Sequence, residues 1–125
     1  MENIFIEKTK YTPEIRLNAQ KGEINFTGKS YPENTFEFYK PILTWIEEYL
    51  AKNIQNKTVI NMEIIYFNSS SSKLFFDFFD IIDDASKNHD IIINWIYDEE
   101  NDSALEAGED FIEDFENLNF NLLKK

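Results

Sequence analysis

The chain has 125 residues, with 24 acidic and 12 basic side chains, a formal net charge of −12 and no cysteine. This charge repels nucleic acid phosphates and anionic membranes, and the lack of thiols excludes disulfides and cysteine chemistry. Hydrophobic residues make up 42% of the chain, enough for the core of one domain spanning residues 1–125. The N-terminus does not resemble a secretion signal, and no apolar stretch approaches the roughly 20 residues that cross a bilayer, so we expect a cytoplasmic protein.

The first fifty residues predict three strands and a helix. Residues 2–7 alternate weakly between apolar and polar side chains, and alternation on both sides of Lys21-Gly22 is typical of a β-hairpin. From Tyr39 to Leu50, apolar residues recur at steps of three and four, which predicts a helix with one apolar face. Pro41 lies inside this pattern, and because proline lacks a backbone N–H we expect a kink or a restart there.

The second half of the chain alternates predicted strands with predicted helices. Residues 57–68 are β-branched and aromatic, as in a central strand, and residues 90–98 are nearly continuously apolar, as in a strand covered on both faces. A phenylalanine-rich helix separates them, and an acidic helix near residues 100–115 and a strand at 117–123 follow. The order β-β-β-α-β-α-β-α-β predicts an α/β fold with a mixed sheet.

Four consecutive serines, Ser69–Ser72, stand between the predicted central strand and the helix that follows it. Serine runs are typical of linkers, but a linker here would leave halves of about 65 residues, each marginal as a folding unit. At the start of a helix, one serine is expected to act as the N-cap, and the terminal N–H groups and the helix dipole stabilise a phosphate. The serines are therefore either capping and loop residues without covalent chemistry or a phosphorylation site.

Four segments occur in the order "SYPENTFEFYKPILTWIEEYL", "YFNSSSSK", "INWIYDEEND" and "EAGEDF". They resemble the landmarks of the SiaC-type regulatory phosphoproteins. The resemblance implies a STAS-like mixed β-sheet with an N-terminal β-hairpin and about three helices packed against it. It also implies a non-enzymatic bacterial signalling switch, phosphorylated by a dedicated kinase and dephosphorylated by a PP2C-type phosphatase. The unphosphorylated form is then expected to bind and activate a diguanylate cyclase, which controls cyclic-di-GMP and biofilm formation.

The family's phosphoacceptor is the hydroxyl residue directly after the asparagine of a Tyr-x-Asn-Thr-Ser-Ser pattern, which implies Ser69, next to Asn68. The family typically has threonine there, so this chain differs but keeps the hydroxyl. Ser70 and Ser71 are alternative acceptors. The partner is expected to dock on Asn68, on the serines through Ser72 and on the start of the next helix.

Three further residues are candidates for the partner surface. A helical wheel places Phe76 away from the apolar face of its helix, so it is either an exposed partner anchor or is covered by a second element. Tyr31 and Glu33 belong to a Tyr-Pro-Glu-Asn loop that either positions the first helix or contributes to that surface. We predict no cofactor, metal or catalytic residue, because His89 has no companion histidine and no phosphate-binding glycine loop stands out.

Two alternative functions stay open at this stage. An anti-anti-sigma-like protein that binds an anti-sigma kinase would use the same site. A small-molecule-binding domain or a weak enzyme would instead require a deep pocket with convergent polar groups.

Overall fold

The computed structural model describes residues 1–52 and 56–125, which form a six-stranded sheet and three helices. In chain order the elements are β1 (Ile4–Ile6), β2 (Glu14–Asn18), β3 (Glu23–Ser30), α1 (Thr35–Leu50), β4 (Thr58–Phe67), α2 (Ser69–Ala85), β5 (Ile91–Tyr97), α3 (Asp102–Asp114) and β6 (Asn119–Lys124). The predicted order of elements and the mixed α/β fold class are confirmed.

Neighbouring strands of the sheet follow chain order, from β1 at one edge to β6 at the other. The first three strands are antiparallel, and the β2–β3 hairpin turns through Gly22, whose φ of 67° is accessible to glycine at little cost. From β3 to β6 the strands are parallel, and a helix connects each successive pair. Right-handed crossovers that all advance in one direction place the three helices on the same face of the sheet.

The core lies between the sheet and the helices. Alternate residues of the central strands point toward the helices, and Ile24, Ile60 and Ile93 are 0% exposed. The helices cover them with apolar side chains that recur at steps of three and four, listed here from α1 to α3: Tyr39, Ile42, Ile46, Phe75, Phe78, Phe79, Ile82 and Phe111. The predicted apolar faces of α1 and α2 are thus the buried faces.

The opposite face of the sheet carries no helix in the part of the chain that the structure describes. Residues 90–98, whose composition predicts cover on both faces, contain β5. Its Ile92, Asn94 and Ile96 side chains, which point away from the helices, are partly exposed. The prediction is wrong because all three crossover helices lie on the other side of the sheet.

Helix α1 runs from Thr35 to Leu50 without a break, so the helix does not restart at Pro41. Pro41 is exposed, whereas Tyr39 and Ile42 beside it are buried. Packing of the buried face stabilises the helix against the loss of one backbone hydrogen bond.

Strand β4 contains a bulge shortly before its end. Ile64 and Tyr66 pair with consecutive residues of β3, so Ile65 is an additional residue in this register. A bulge of this kind reverses the faces to which the following side chains point. After it, Phe67 points toward the helices, with its ring centroid 5.6 Å from that of Phe75. The bulge therefore orients the strand end from which α2 starts.

Gly108 lies within α3, where an added Cβ would stand 2.6 Å from Leu122 Cδ2 and 2.6 Å from Trp95 Cδ1. Replacing glycine by alanine inside a helix normally stabilises by about 1 kcal/mol, but overpacking costs about 1–3 kcal/mol. We expect Gly108→Ala to lower the midpoint of thermal unfolding, followed by circular dichroism, by about 3–6 °C. Glu109→Ala, on the exposed side of α3, is the control and should cause no decrease. A Gly108→Ala protein as stable as the wild type would contradict the packing of α3 on Trp95.

Candidate functional site at the start of helix α2

Helix α2 begins directly after β4, with Asn68 as its N-cap. Asn68 has extended backbone angles of φ −86° and ψ 176°. Its side-chain oxygen accepts a hydrogen bond from Ser71 N at 2.9 Å, and its carbonyl accepts one from Ser72 N at 2.9 Å. Asparagine is among the strongest N-cap residues, so the helix starts one residue earlier than a serine cap would allow. The prediction of a serine cap is therefore wrong, and Ser69–Ser72 form the first helical turn rather than a loop.

The four serines differ in accessibility because successive helical residues point about 100° apart. Ser69 and Ser70 are exposed, and Ser72 is half-buried. Ser71 is 0% exposed, so a modifying enzyme cannot reach its hydroxyl without unfolding the turn. The structure thus argues against Ser71 as an alternative acceptor.

Ser71 belongs to a buried chain of hydroxyl groups. Its Oγ is 2.8 Å from Ser30 Oγ, which in turn is 2.6 Å from the hydroxyl of Tyr39. Burial raises the pKa of the Tyr39 hydroxyl well above its usual value, although the hydrogen bond with Ser30 acts in the opposite direction. The Tyr39 hydroxyl therefore stays protonated. The chain of hydroxyl groups links the end of β3 to α1 and to the first turn of α2.

An open groove of about 740 Å³ runs between α2 and α3, with Ser69 at its head. We call it the α2/α3 groove, and it is lined by Phe67, Ser69, Ser72, Lys73, Phe76, Asp77, Ala107, Asp110, Phe111 and Asp114. Three phenylalanines give it an apolar floor, while three carboxylates outnumber one ammonium group among its charged lining residues. The groove can therefore bind an apolar side chain, and its field favours a partner with basic groups.

Phe76 is 43% exposed and lines the α2/α3 groove. One side of its ring rests on Phe115, with the two centroids 4.9 Å apart. The sequence predicts that Phe76 is either exposed or covered by a second element, and the structure supports exposure. Phe76 is therefore an apolar group that a partner could contact.

A smaller groove of about 390 Å³ lies on the other side of α2, against the start of α1. Glu33, Ser70 and Lys73 line it together with Phe36, which is 65% exposed. The structure thus brings Glu33 beside the first helical turn of α2, Ser69–Ser72, which we call the serine turn.

Tyr31 lines neither groove. Its ring packs edge-on between those of Tyr11 and Tyr66, at centroid distances of 5.3 Å and 5.5 Å. This stack lies where β3 and β4 end, and Tyr11 and Tyr66 are about half exposed. Tyr31 is therefore near the edge of the sheet from which α2 starts, but not beside Ser69.

The charged residues that line the α2/α3 groove are absent from the sequence-based set of candidates. Lys73 and Asp77 follow Ser69 at steps of four and eight residues, so helical spacing could have identified them. Asp110 and Asp114 come from α3. Their place beside α2 depends on the order of β4, β5 and β6 in the sheet, which no local pattern reveals.

A further cavity of about 400 Å³ opens where β4 and β5 separate at their carboxyl ends. Its charged residues include Glu63 and Lys125, whose carboxylate and ammonium group are 2.9 Å apart. These two groups pair with each other rather than pointing at a ligand, and the other charged residues of the lining, Asp98 and Glu100, are both acidic. Within residues 1–52 and 56–125, no group of three or more metal-ligating side chains is arranged to hold a metal ion, and no helix is long and apolar enough to cross a membrane.

The fold and the site together define a small α/β domain that presents accessible hydroxyls at a helix N-terminus beside an acidic groove. The model of the SiaC family of regulatory phosphoproteins matches residues 6–125. The chain belongs to this family. An uncharacterized protein of Pseudomonas aeruginosa (strain UCBPP-PA14) is 32% identical over 115 residues, covering 91% of this chain and 90% of that protein.

Solved structures show the same fold. SiaC of Pseudomonas aeruginosa superposes with a TM-score of 0.86 at 29% identity, covering 100% of this chain and 98% of that one. A chain in the crystal structure of the diguanylate cyclase SiaD in complex with its activator SiaC, also from Pseudomonas aeruginosa, gives a TM-score of 0.90 at 30% identity, covering 98% and 99% of the two chains. The fold is therefore that of a known activator of a diguanylate cyclase.

Replacing Ser71 by alanine tests the buried hydroxyl chain. The change removes the 2.8 Å hydrogen bond to Ser30, so we expect the free energy of unfolding, measured with urea, to fall by about 1 kcal/mol. Ser70→Ala makes the same chemical change on an exposed side chain and should stay within about 0.5 kcal/mol of the wild type. Equal effects of the two substitutions would contradict the different environments of these neighbouring serines.

Proposed function

We propose that this protein is a phosphorylation-controlled switch whose unphosphorylated form binds and activates a diguanylate cyclase. A kinase phosphorylates Ser69 and a PP2C-type phosphatase removes the phosphate, both in the bacterial cytoplasm. The observation that carries the proposal is the exposed Ser69 hydroxyl at the head of the α2/α3 groove. Membership of a family of regulatory phosphoproteins and the likeness to an activator of the cyclase SiaD support it.

Ser69 is the acceptor that the local chemistry favours. The N–H groups of Ser71 and Ser72 are occupied by Asn68, whereas those of Ser69 and Ser70 have no acceptor within a helix. A phosphate on the first helical residue is stabilised by these donors and by the helix dipole, and no acidic residue occupies the first turn. Ser70 is exposed as well, but it faces the smaller groove, whereas Ser69 follows Asn68 directly and faces the larger one.

The phosphate would act on partner docking at the head of the α2/α3 groove. Phosphorylation adds about 1.5 to 2 negative charges, and Lys73, one helical turn further on, is in the position to pair with them. A partner that packs an apolar side chain against Phe76 would have to remove water from this dianion, which costs several kcal/mol unless the charge is paired. Docking is therefore weaker in the phosphorylated state.

The proposed docking surface combines the two grooves that flank the first turns of α2. Asn68 holds the serine turn in place through its capping hydrogen bonds. The surface itself is formed by four groove-lining residues, Glu33, Ser70, Ser72 and Phe76. Tyr31 lies near its margin. The apolar part of the surface is Phe76, whose ring rests on Phe115 at the end of α3.

Ser69 is expected to be the residue that the cognate kinase modifies. Incubation of the wild type with this kinase and ATP, followed by peptide mass spectrometry, should place one phosphate on Ser69. Ser69→Ala should abolish phosphorylation and keep cyclase binding unresponsive to the kinase, while Ser70→Ala should behave as the wild type does. Phosphate found only at another residue would reject the assignment.

Phe76→Ala is expected to weaken binding to the cyclase by about 10-fold or more, because an exposed aromatic anchor is removed. Its midpoint of thermal unfolding should fall by no more than about 3 °C, since the side chain is 43% exposed. The matched control is Phe75→Ala, at a side chain that is 1% exposed, which should cost about 3–5 kcal/mol of stability. If Phe76→Ala bound the cyclase with the affinity of the wild type, the α2/α3 groove would not be part of the docking surface.

A further inference from the structure

The face of the sheet opposite the helices, called the open face below, is formed by alternate residues of all six strands. Its central row takes one residue from each strand in register, and from β1 to β6 these are Phe5, Arg16, Asn25, Asn61, Asn94 and Asn121. Four of the six are asparagines on adjacent parallel strands. The row therefore crosses the entire width of the sheet.

The four asparagines form one chain of hydrogen bonds. Asn61 Nδ2 donates to Asn25 Oδ1 at 2.9 Å, Asn94 Nδ2 donates to Asn61 Oδ1 at 2.9 Å, and Asn121 Nδ2 donates to Asn94 Oδ1 at 3.4 Å. An asparagine amide has two N–H donors and an oxygen with two lone pairs. Each of the two middle amides consequently keeps one donor and one lone pair that the row does not use.

Apolar side chains flank this polar row on both sides. Val59 and Ile92 lie on one side, and Ile96 and Leu123 on the other. The first three are partly exposed, and Leu123 is 43% exposed. Parallel strands are almost always covered on both faces, so this apolar surface over parallel strands indicates an interaction surface.

The charge of the chain is distributed unequally between the two sides. The three helices carry thirteen acidic and two basic residues, a net charge of −11 out of −12 for the whole chain. The six strands carry three acidic and three basic residues, a net charge of zero. On the open face, Glu14 lies 2.8 Å from Arg16 and Glu63 lies 2.9 Å from Lys125. The helical side is strongly acidic and the open face is neutral.

We infer that the open face binds the open face of a second copy of this chain. Two acidic chains repel each other wherever their helices meet, so a copy can approach closely only through the neutral side. A two-fold contact places a surface against itself, and a row of amides with matching free donors and acceptors is complementary to its own copy. A basic partner of another kind would be drawn to the helical side instead.

The size of the open face sets the strength of this contact. Six strands about 4.8 Å apart and about 20 Å long give a footprint on the order of 500 Å² per copy. This lies at the low end of specific interfaces, so a weak dimer that dissociates on dilution is expected. Because α2 lies on the other side of the sheet, such a dimer leaves Ser69 and the α2/α3 groove accessible in both copies.

Sedimentation equilibrium tests the dimer with the unphosphorylated full chain. The wild type should shift from monomer to dimer between about 1 µM and 1 mM, with a dissociation constant in that range. Asn94→Asp places one carboxylate per copy beside the two-fold axis and should raise this constant at least 10-fold, while its thermal midpoint confirms that it is folded. Asn117→Asp adds the same charge in the exposed turn before β6 and should dimerise as the wild type does. A wild type that stays monomeric throughout, or equal dimerisation of the two variants, would overturn the inference.

Cross-linking tests the geometry of the contact separately. The chain has no cysteine, so Asn61→Cys introduces a single thiol near the proposed two-fold axis. Mild oxidation should convert most of this variant to a disulfide-linked dimer, and the yield should fall when Asn94→Asp is added. Asn117→Cys also introduces a single thiol, but outside the open face, so this control should give little disulfide-linked dimer. Equal yields from the two cysteine variants would show that the open faces do not meet.

Discussion

The placement of all three crossover helices on one side of the sheet is the constraint on which the rest of this structure depends. Because the strands from β3 to β6 advance in one direction, every right-handed connection returns over the same face. The helices then lie side by side, with their N-termini at the edge where the strands end. This arrangement forms the α2/α3 groove, concentrates the acidic residues on the helical side and leaves the open face neutral.

The serine turn is held in place by the end of β4, by Asn68 and by the buried Ser71. The bulge at Ile65 directs Phe67 into the core, and Asn68 then caps α2 with two hydrogen bonds. Two residues beyond Ser69, the buried Ser71 joins the end of β3 through Ser30. Ser71 therefore anchors the turn while Ser69 presents its hydroxyl to solvent, and a functional group on such a supported element keeps a defined position.

The sequence predicts the elements well because periodicity is a local property. Apolar spacing predicts α1 and α2, and alternation around Lys21-Gly22 predicts the hairpin. The prediction of a serine cap is wrong because five residues in succession, Asn68 and the four serines, are all good caps, and only the end of β4 decides between them. The predicted cover of β5 is wrong for a different reason, because an apolar run indicates a central strand but not how many of its faces are covered. The groove requires the order of the strands, which is a property of the whole sheet.

The acidity of the helical side bears on how a phosphate on Ser69 would be sensed. A chain with a net charge of −12 changes its long-range field by only about one-sixth when it gains about two charges. Exposed charges are also screened within about 8 Å at physiological salt. A partner that responded to net charge would hardly distinguish the two states. In the proposed switch, the two states would therefore be distinguished locally, where a phosphate on Ser69 and Lys73 would share the head of a groove whose floor is apolar. There, removing water from the phosphate would cost more free energy than long-range attraction to a partner provides. In the proposed switch, the position of Ser69, rather than the total charge, would therefore decide the effect of phosphorylation.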